Sequence, residues 1–250
     1  MSDFWQQASL AQVPEPPKNT YESLPDKVTV ICKTTTSADK DIVQPKLREV
    51  NRKDGSGSFY TLKVPMQVIG GDAKIKPSHI GKGYFFPEFN IEKPTVEQLE
   101  ARIASSEAAG YESTVNRLKG QLKSLDAFPV APELYNFLLD SLVPEGPTTQ
   151  ARWQEAAAIL SRKSESVGFT VDGVPAESFK GNTQYLIAAA FHAMLMDNSY
   201  TVIGGTYTPR QKPGSDYVPT QTVGSFGSYT EAESKRRKVK LIEAEAKDDF

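Results

Sequence analysis

"VNRKDGSGSFYTLKVPMQVIGG", residues 50–71, combines a basic entry, a turn, an aromatic pair and an alternating apolar run closed by two glycines. Its reading decides the fold. "KDGSG" at 53–57 places glycine at two positions that tolerate positive φ, which is hairpin-turn chemistry. Beyond the turn the chain alternates, with Tyr60, Leu62, Val64 and Met66 on one side and Phe59, Thr61 and Lys63 on the other. Successive side chains of a strand point to opposite faces, so the first set is expected in a core and the second outside it. Pro65 has no N–H and predicts a bulge or an edge position late in this strand.

Working outward from this hairpin, "VTVICKTTT" at 28–36 is β-branched and strand-like. "IVQPKLREV" predicts a second strand, which Pro45 assigns to a sheet edge. "GKGYFFPEFNI" at 81–91 predicts another, with aromatic residues crowded around Pro87. Consecutive Phe85 and Phe86 must face opposite ways, so one of them belongs to the core. The pattern changes at Pro94. Val96, Leu99 and Ile103, then Val115, Leu118, Leu122 and Leu125, recur at helical spacing, with Gly110 between two helices. Helices are also expected at "APELYNFLLDSLV", from Thr149 to a glycine stop at Gly168, and at "NTQYLIAAAFHAMLMDN". "SYTVIGGTYTPR" and "SDYVPTQTVGSF" return to strand. From Thr230 no core-forming pattern remains. Thr230 and Glu233 have capping-box spacing for a helix over 234–246 carrying the "KRRKVK" run.

The expected class is α+β: an antiparallel β-barrel with a large helical insertion and a flexible C-terminal tail. The boundaries are an N-terminal arm over 1–26, a β-domain over 27–93 and 200–229, a helical insertion over 94–199 and a charged tail over 230–250. The chain has 250 residues and a formal net charge of −2. Residues 94–199 are net acidic, while the flanking parts are together slightly basic. A polyanion would favour those flanking parts. The lone cysteine, Cys32, is expected to be a small core residue in a reducing compartment. No apolar run is long enough for a membrane span. "MSDFWQQ" lacks the basic and apolar segments of a signal peptide, so a cytoplasmic location is expected.

Several chemistries lack their signatures. "IGKGY" has a Gly-Lys pair without the spacing or the Ser/Thr of a phosphate-binding P-loop. The sequence has two histidines, His79 and His192, far apart, and neither forms a zinc-ligand spacing with Cys32. No nucleophile-elbow, zincin or kinase motif is present. The expectation is a protein without catalysis, cofactor or metal.

What remains is a mixture of cations and aromatic rings. Arg52, Lys53, Lys63, Lys74, Lys76 and Lys82 intersperse with Phe59, Tyr84 and Phe86, and Arg210 and Lys212 occupy a Pro/Gly-rich loop. Single-stranded nucleic acid is held by such a mixture, because cations follow phosphates while aromatic faces stack on bases. The competing reading is that half or more of the aromatics build a small core. At the C-terminus, Asp248 and Asp249 precede a final Phe250, a combination suited to a basic-rimmed pocket on a partner.

An acidic stretch closed by a terminal Phe resembles the tails of bacterial and phage single-stranded-DNA-binding proteins. The run from "YESLPDK" through "DGSGSFYTLKVPMQVIGG" to the aromatic strand is similar to the phage-encoded members, over roughly residues 20–91. The resemblance implies an OB-like barrel that binds single-stranded DNA without sequence preference, in phage replication, recombination or transcription. It also implies that Asp248, Asp249 and Phe250 recruit a protein partner in the host cytoplasm. The helical block lies outside the resemblance. The alternative is a phage virion or assembly protein making protein–protein contacts, with self-association possible under either reading.

Overall fold

The computed structural model describes residues 24–39, 43–51, 58–81, 84–166, 170–171, 174–175, 182–209 and 220–243. The opening stretch forms strands from two sheets. β1 (Thr29–Thr34) is followed by the hairpin of β2 (Lys46–Asn51) and β3 (Ser58–Lys63). The chain then turns at Val64–Pro65 and enters β4 (Met66–Gly71) of a second sheet. The same happens at Pro87, between β5 (Tyr84–Phe85) and β6 (Glu88–Asn90). β3 pairs with β6 and β4 with β5, and the register runs through both corners unbroken: Thr61↔Asn90, Lys63↔Glu88, Met66↔Phe85, Gln67↔Tyr84. The Val64 N–H donates to the Pro87 carbonyl at 3.0 Å and closes the ladder at the bend. The expected single strand with a late irregularity at Pro65 is therefore half of a bent ribbon, and Pro65 is its corner. Neither proline has an N–H to lose from the ladder, so the ribbon folds there at little cost.

With β9 (Thr201–Tyr207), β10 (Thr222–Ser228) and β11 (Lys240–Leu241), one sheet has the order β10-β9-β1-β4-β11, with β5 also on β4, and the other has the order β2-β3-β6. β9 pairs with β1 through Ile31↔Ile203, and β10 completes that edge. Together the sheets curl into an antiparallel half-barrel. β2 begins directly after Pro45 and is an edge strand, as Pro45 predicts. β7 (Thr170–Val171) and β8 (Val174–Pro175) form a separate small hairpin.

The described residues hold six α-helices. α1 (Val96–Ala108) starts with a reciprocal cap, in which Thr95 Oγ1 accepts from the Gln98 N–H at 3.2 Å and Gln98 Oε1 accepts from the Thr95 N–H at 3.0 Å. Gly110, at φ +71, turns the chain into α2 (Glu112–Lys123). These two helices bury Leu99, Ile103, Val115, Leu118 and Leu125 among themselves as a satellite core. α3 (Pro132–Leu142), α4 (Thr149–Ser166) and α5 (Thr183–Asp197) instead share the main core with the half-barrel. Thus the helical block packs in two parts.

Phe137 of α3 is at the centre. Its ring stacks on Phe89 of β6 at 4.7 Å and meets Phe226 of β10 at 5.1 Å and Phe191 of α5 at 5.9 Å. α3 therefore bridges two outer strands among the described residues, β6 and β10, which do not hydrogen-bond to each other. A partly buried network locks the far end of α3. Arg152 of α4 donates to Asp140 at 3.0 Å and to the Val143 carbonyl at 2.6 Å, and Ser228 of β10 donates to Asp140 at 2.6 Å. His192 is buried in α5 with Nε2 3.0 Å from the Pro45 carbonyl, and Cys32 is buried in β1 with its thiol pushed up to about 12 by desolvation.

The segment from Thr230 corrects the expectation of a core-free tail. α6 (Glu231–Arg237) ends at Lys238 in the left-handed region, φ 54, instead of continuing to 246. β11 (Lys240–Leu241) then pairs with the end of β4, and Val239 is buried against Ile31 and Ile203. Gly70 serves this close approach, while Gly71 makes room for Thr29 of β1 and for Ile75. A Cβ on Gly70 would press into the Lys240 carbonyl, and one on Gly71 would lie 2.6 Å from the Thr29 carbonyl.

Truncating Phe137 removes the ring shared by β6, β10 and α5. Phe137→Ala is expected to lower unfolding free energy by about 3–5 kcal/mol, read as a shifted urea midpoint with an unchanged slope.

Candidate functional site

The β2–β3–β6 sheet has two faces of different chemistry. Leu47, Leu62 and Phe89 oppose one another on the inner face and are buried. Tyr60, also on that side, meets Tyr185 of α5 edge-on at 5.3 Å. The outer face carries Lys46, Arg48 and Val50 from β2, directly opposite Lys63, Thr61 and Phe59 of β3, with Glu88 and Asn90 from β6. Directly opposed residues of an antiparallel pair share a face, so these side chains form one surface. Thr61 is buried within it, donating to Glu88 Oε1. At the corner Lys63 Nζ lies 4.9 Å from the centroid of Phe86, which is 39% exposed, while Phe85 packs against the core. A cation over an aromatic face gains from the ring quadrupole. Three cations and one carboxylate make the described outer face net positive. Tyr84 lies one strand-step from this corner, its phenol pushed up by desolvation and then by Asp39.

The structure thus sets Lys63 against Phe86, places Phe59 farther along the same face of β3, and pairs Tyr84 with Gln67 in the other sheet. Phe59 lies four residues from Lys63 on the same face, about 13 Å along the strand. Lys74 and Lys76 are exposed beyond the opposite end of β4, which alone spans roughly 17 Å, so they do not belong to this surface. Arg52, Lys53, Lys82, Arg210, Lys212, Asp248, Asp249 and Phe250 lie outside the described residues. Lys46 and Arg48 escaped the sequence reading. The signal was present in "KLREV", whose alternation matches that of "SFYTLK" across the turn.

Beside this face, between the Phe86–Phe89 corner and β10, lies a groove of about 590 Å³. Phe86 and Tyr207, the latter 46% exposed, stand on its lining with Phe89, Phe128, Phe137 and Phe226. α2 and α3 contribute Arg117, Gln121, Glu133 and Asn136. The β10 ladder is irregular between Gly224 and Gly227. Ser225 sits there at φ 51 and is exposed, while Phe226 packs against Phe137. A second recess of about 470 Å³ opens between Phe59, Asn90 and α1, and Glu133 lines both. Among the described residues no group of three or more His, Cys, Asp or Glu is placed to hold a metal ion. No helix among them is long and apolar enough to cross a membrane.

No protein-family model matches the chain, and neither a curated protein nor a solved structure shows significant similarity to it.

The basic run at 235–240 is partly neutralised by its own helix. Glu231 pairs with Lys235, and Glu233 pairs with both Arg236 and Arg237. Hydrogen bonding from Arg236, then from Arg237, draws the Glu233 carboxyl down to about 2. A lowered folded-state pKa stabilises above the carboxyl's ordinary value, and that stabilisation disappears as pH falls toward the lowered one. Wild-type melting temperature is therefore expected to fall between about pH 4.5 and pH 2 by more than that of Glu233→Gln. The difference should shrink in high salt to the extent that it comes from Arg236, whose side chain is largely exposed, more than from the half-buried Arg237. Parallel pH–melting curves of the two proteins check this.

Proposed function

We propose that this protein binds single-stranded DNA with little sequence preference, across the outer face of β2, β3 and β6. The observation that carries the reading is the corner where Lys63 lies over the exposed ring of Phe86, with Lys46 and Arg48 in register on the neighbouring strand. Cations at strand spacing offer a path for phosphates, and Phe86 and Phe59 offer faces on which bases stack. The inner face is committed to packing, so ligand and core do not compete for the same side chains. The curled half-barrel supports an OB-like description of the β part. α1 and α2, with their own small core, would stand at the rim of the binding face. Binding and release suffice for this role, and no catalytic step belongs to it.

The terminal Asp248, Asp249 and Phe250 keep the role the resemblance implies, recruitment of a replication, recombination or transcription protein in a phage-infected cell, through a basic-rimmed pocket that would suit their chemistry. The alternative, a virion or assembly component, calls for stable oligomers without affinity for oligonucleotides.

Fluorescence anisotropy with labelled oligo-dT tests the reading. Binding is expected at micromolar protein or below in low salt, weakening steeply as salt rises because counterions are released. Phe86→Ala and Lys63→Ala should each weaken it, the first by about 5- to 150-fold if one base stacks there. Lys74→Ala, beyond the far end of β4, should change it little. Failure to bind at low salt, or Phe86→Ala and Lys63→Ala both matching the parent protein, overturns the proposal.

A further inference from the structure

Phe86 divides two surfaces of opposite character. On one side lie the cations of the sheet face, Lys46, Arg48 and Lys63. On the other, the groove presents the carboxylate of Glu133 and the amides of Gln121 and Asn136, while the Glu88 carboxylate accepts from Thr61 on the sheet face. Arg117 is the one cation among the described lining residues, and it is held by Glu133, Nη1 to Oε1 at 3.2 Å. Gln121 Nε2 reaches the same oxygen at 3.4 Å. A nucleotide has two matching halves. Its phosphate is drawn to the cations of the sheet face, while its base is flat, neutral and edged with hydrogen-bonding groups.

We infer that the groove receives an unstacked base from a strand lying on the sheet face, and that it favours a base offering an exocyclic amino group, cytosine over thymine. This rests on the single-strand reading above. The groove's volume falls within the roughly 300–1,000 Å³ of small-ligand sites, and its lining sets aromatic rings beside polar groups. Phe86 and Tyr207 are exposed on it and available to stack. An ionised carboxylate can only accept hydrogen bonds. Both contacts to Glu133 fall on Oε1, which leaves its second oxygen to accept. Acidic side chains read cytosine through its N4 amino group, where thymine presents a carbonyl oxygen. In the groove that carbonyl would set lone pairs against a carboxylate, while the amino group would donate to it.

The test uses the full chain and labelled oligo-dC and oligo-dT of equal length at mildly alkaline pH, where cytosine is neutral. Oligo-dC is expected to bind about 5-fold or more tightly than oligo-dT. Glu133→Gln, with an amide that can turn either its donor or its acceptor outward, should bring the ratio towards one. Glu133 is exposed, and an unaltered melting curve shows that this variant folds. Equal affinities in the parent protein overturn the inference while leaving the sheet-face reading in place. So does a Glu133→Gln variant that tightens both oligonucleotides equally, which would mark Glu133 as a source of repulsion only. Absence of binding by either oligonucleotide overturns both readings.

Discussion

The hydrogen bond from the Val64 N–H to the Pro87 carbonyl holds the bend on which both sheets depend. On one side of it the ribbon of residues 58–71 and 84–90 belongs to the β2–β3–β6 sheet, and on the other to the larger sheet around β4. Pro65 and Pro87 flank this bond within an unbroken register. A ladder of ordinary residues would have continued straight, with two more N–H groups to satisfy. By folding, the ribbon turns Leu62, Val64, Met66 and Phe89 into a single concave interior that α3 and α5 fill. It also leaves Lys63 and Phe86 on the convex side of the corner, where their contact is open to solvent.

The gap left by the curl has its own consequences. Among the described residues β6 and β10 are the outer strands on either side of the opening, and unpaired edges invite association with other chains. α3 covers them with Phe137, and the Arg152–Asp140–Ser228 network fixes its far end. The groove is the remainder of that opening. Its aromatic floor is made of core residues seen from outside, which is why Phe89, Phe137 and Phe226 serve both packing and lining. A binding surface built this way is preorganised by the same contacts that hold the fold.

Much of this was legible in the sequence because period-two alternation and turn chemistry are local properties. The inward set Tyr60, Leu62, Val64 and Met66, the pairing of β2 with β3, the change to helix after Pro94 and the helix boundaries at Gly110 and Asn182 all follow from residues within a few positions of one another. The change of sheet at Pro65 and Pro87 was not legible, since a proline that interrupts a strand looks the same whether it marks a bulge, an edge or a corner. Membership of the outer face by Lys46 and Arg48 needs the cross-strand register, which links residues 46–51 with 58–63. The separation of Lys74 and Lys76 from Lys63 is equally invisible in one dimension, because the intervening chain includes a full strand, β4, that carries them to its other end. The return of Val239 and Leu241 to β4 was hidden by a charged helix that reads as solvent-facing throughout.

The position of β1 between β4 and β9 sets the order in which the half-barrel can be assembled. Its partner in β4 lies near in sequence, whereas Ile203 opposite Ile31 lies beyond all of α1 to α5. At equilibrium the longer closure is a small cost, about two doublings of loop length and so roughly 1.2 kcal/mol. In time it is different. Non-local strand pairing is slow because closure entropy is lost before contacts compensate for it. Until β9 docks, β1 presents an apolar, hydrogen-bonding edge to every other chain nearby. The first ninety residues can form their bent ribbon early, but the sheet is closed to aggregation only when the strand that follows α5 is in place.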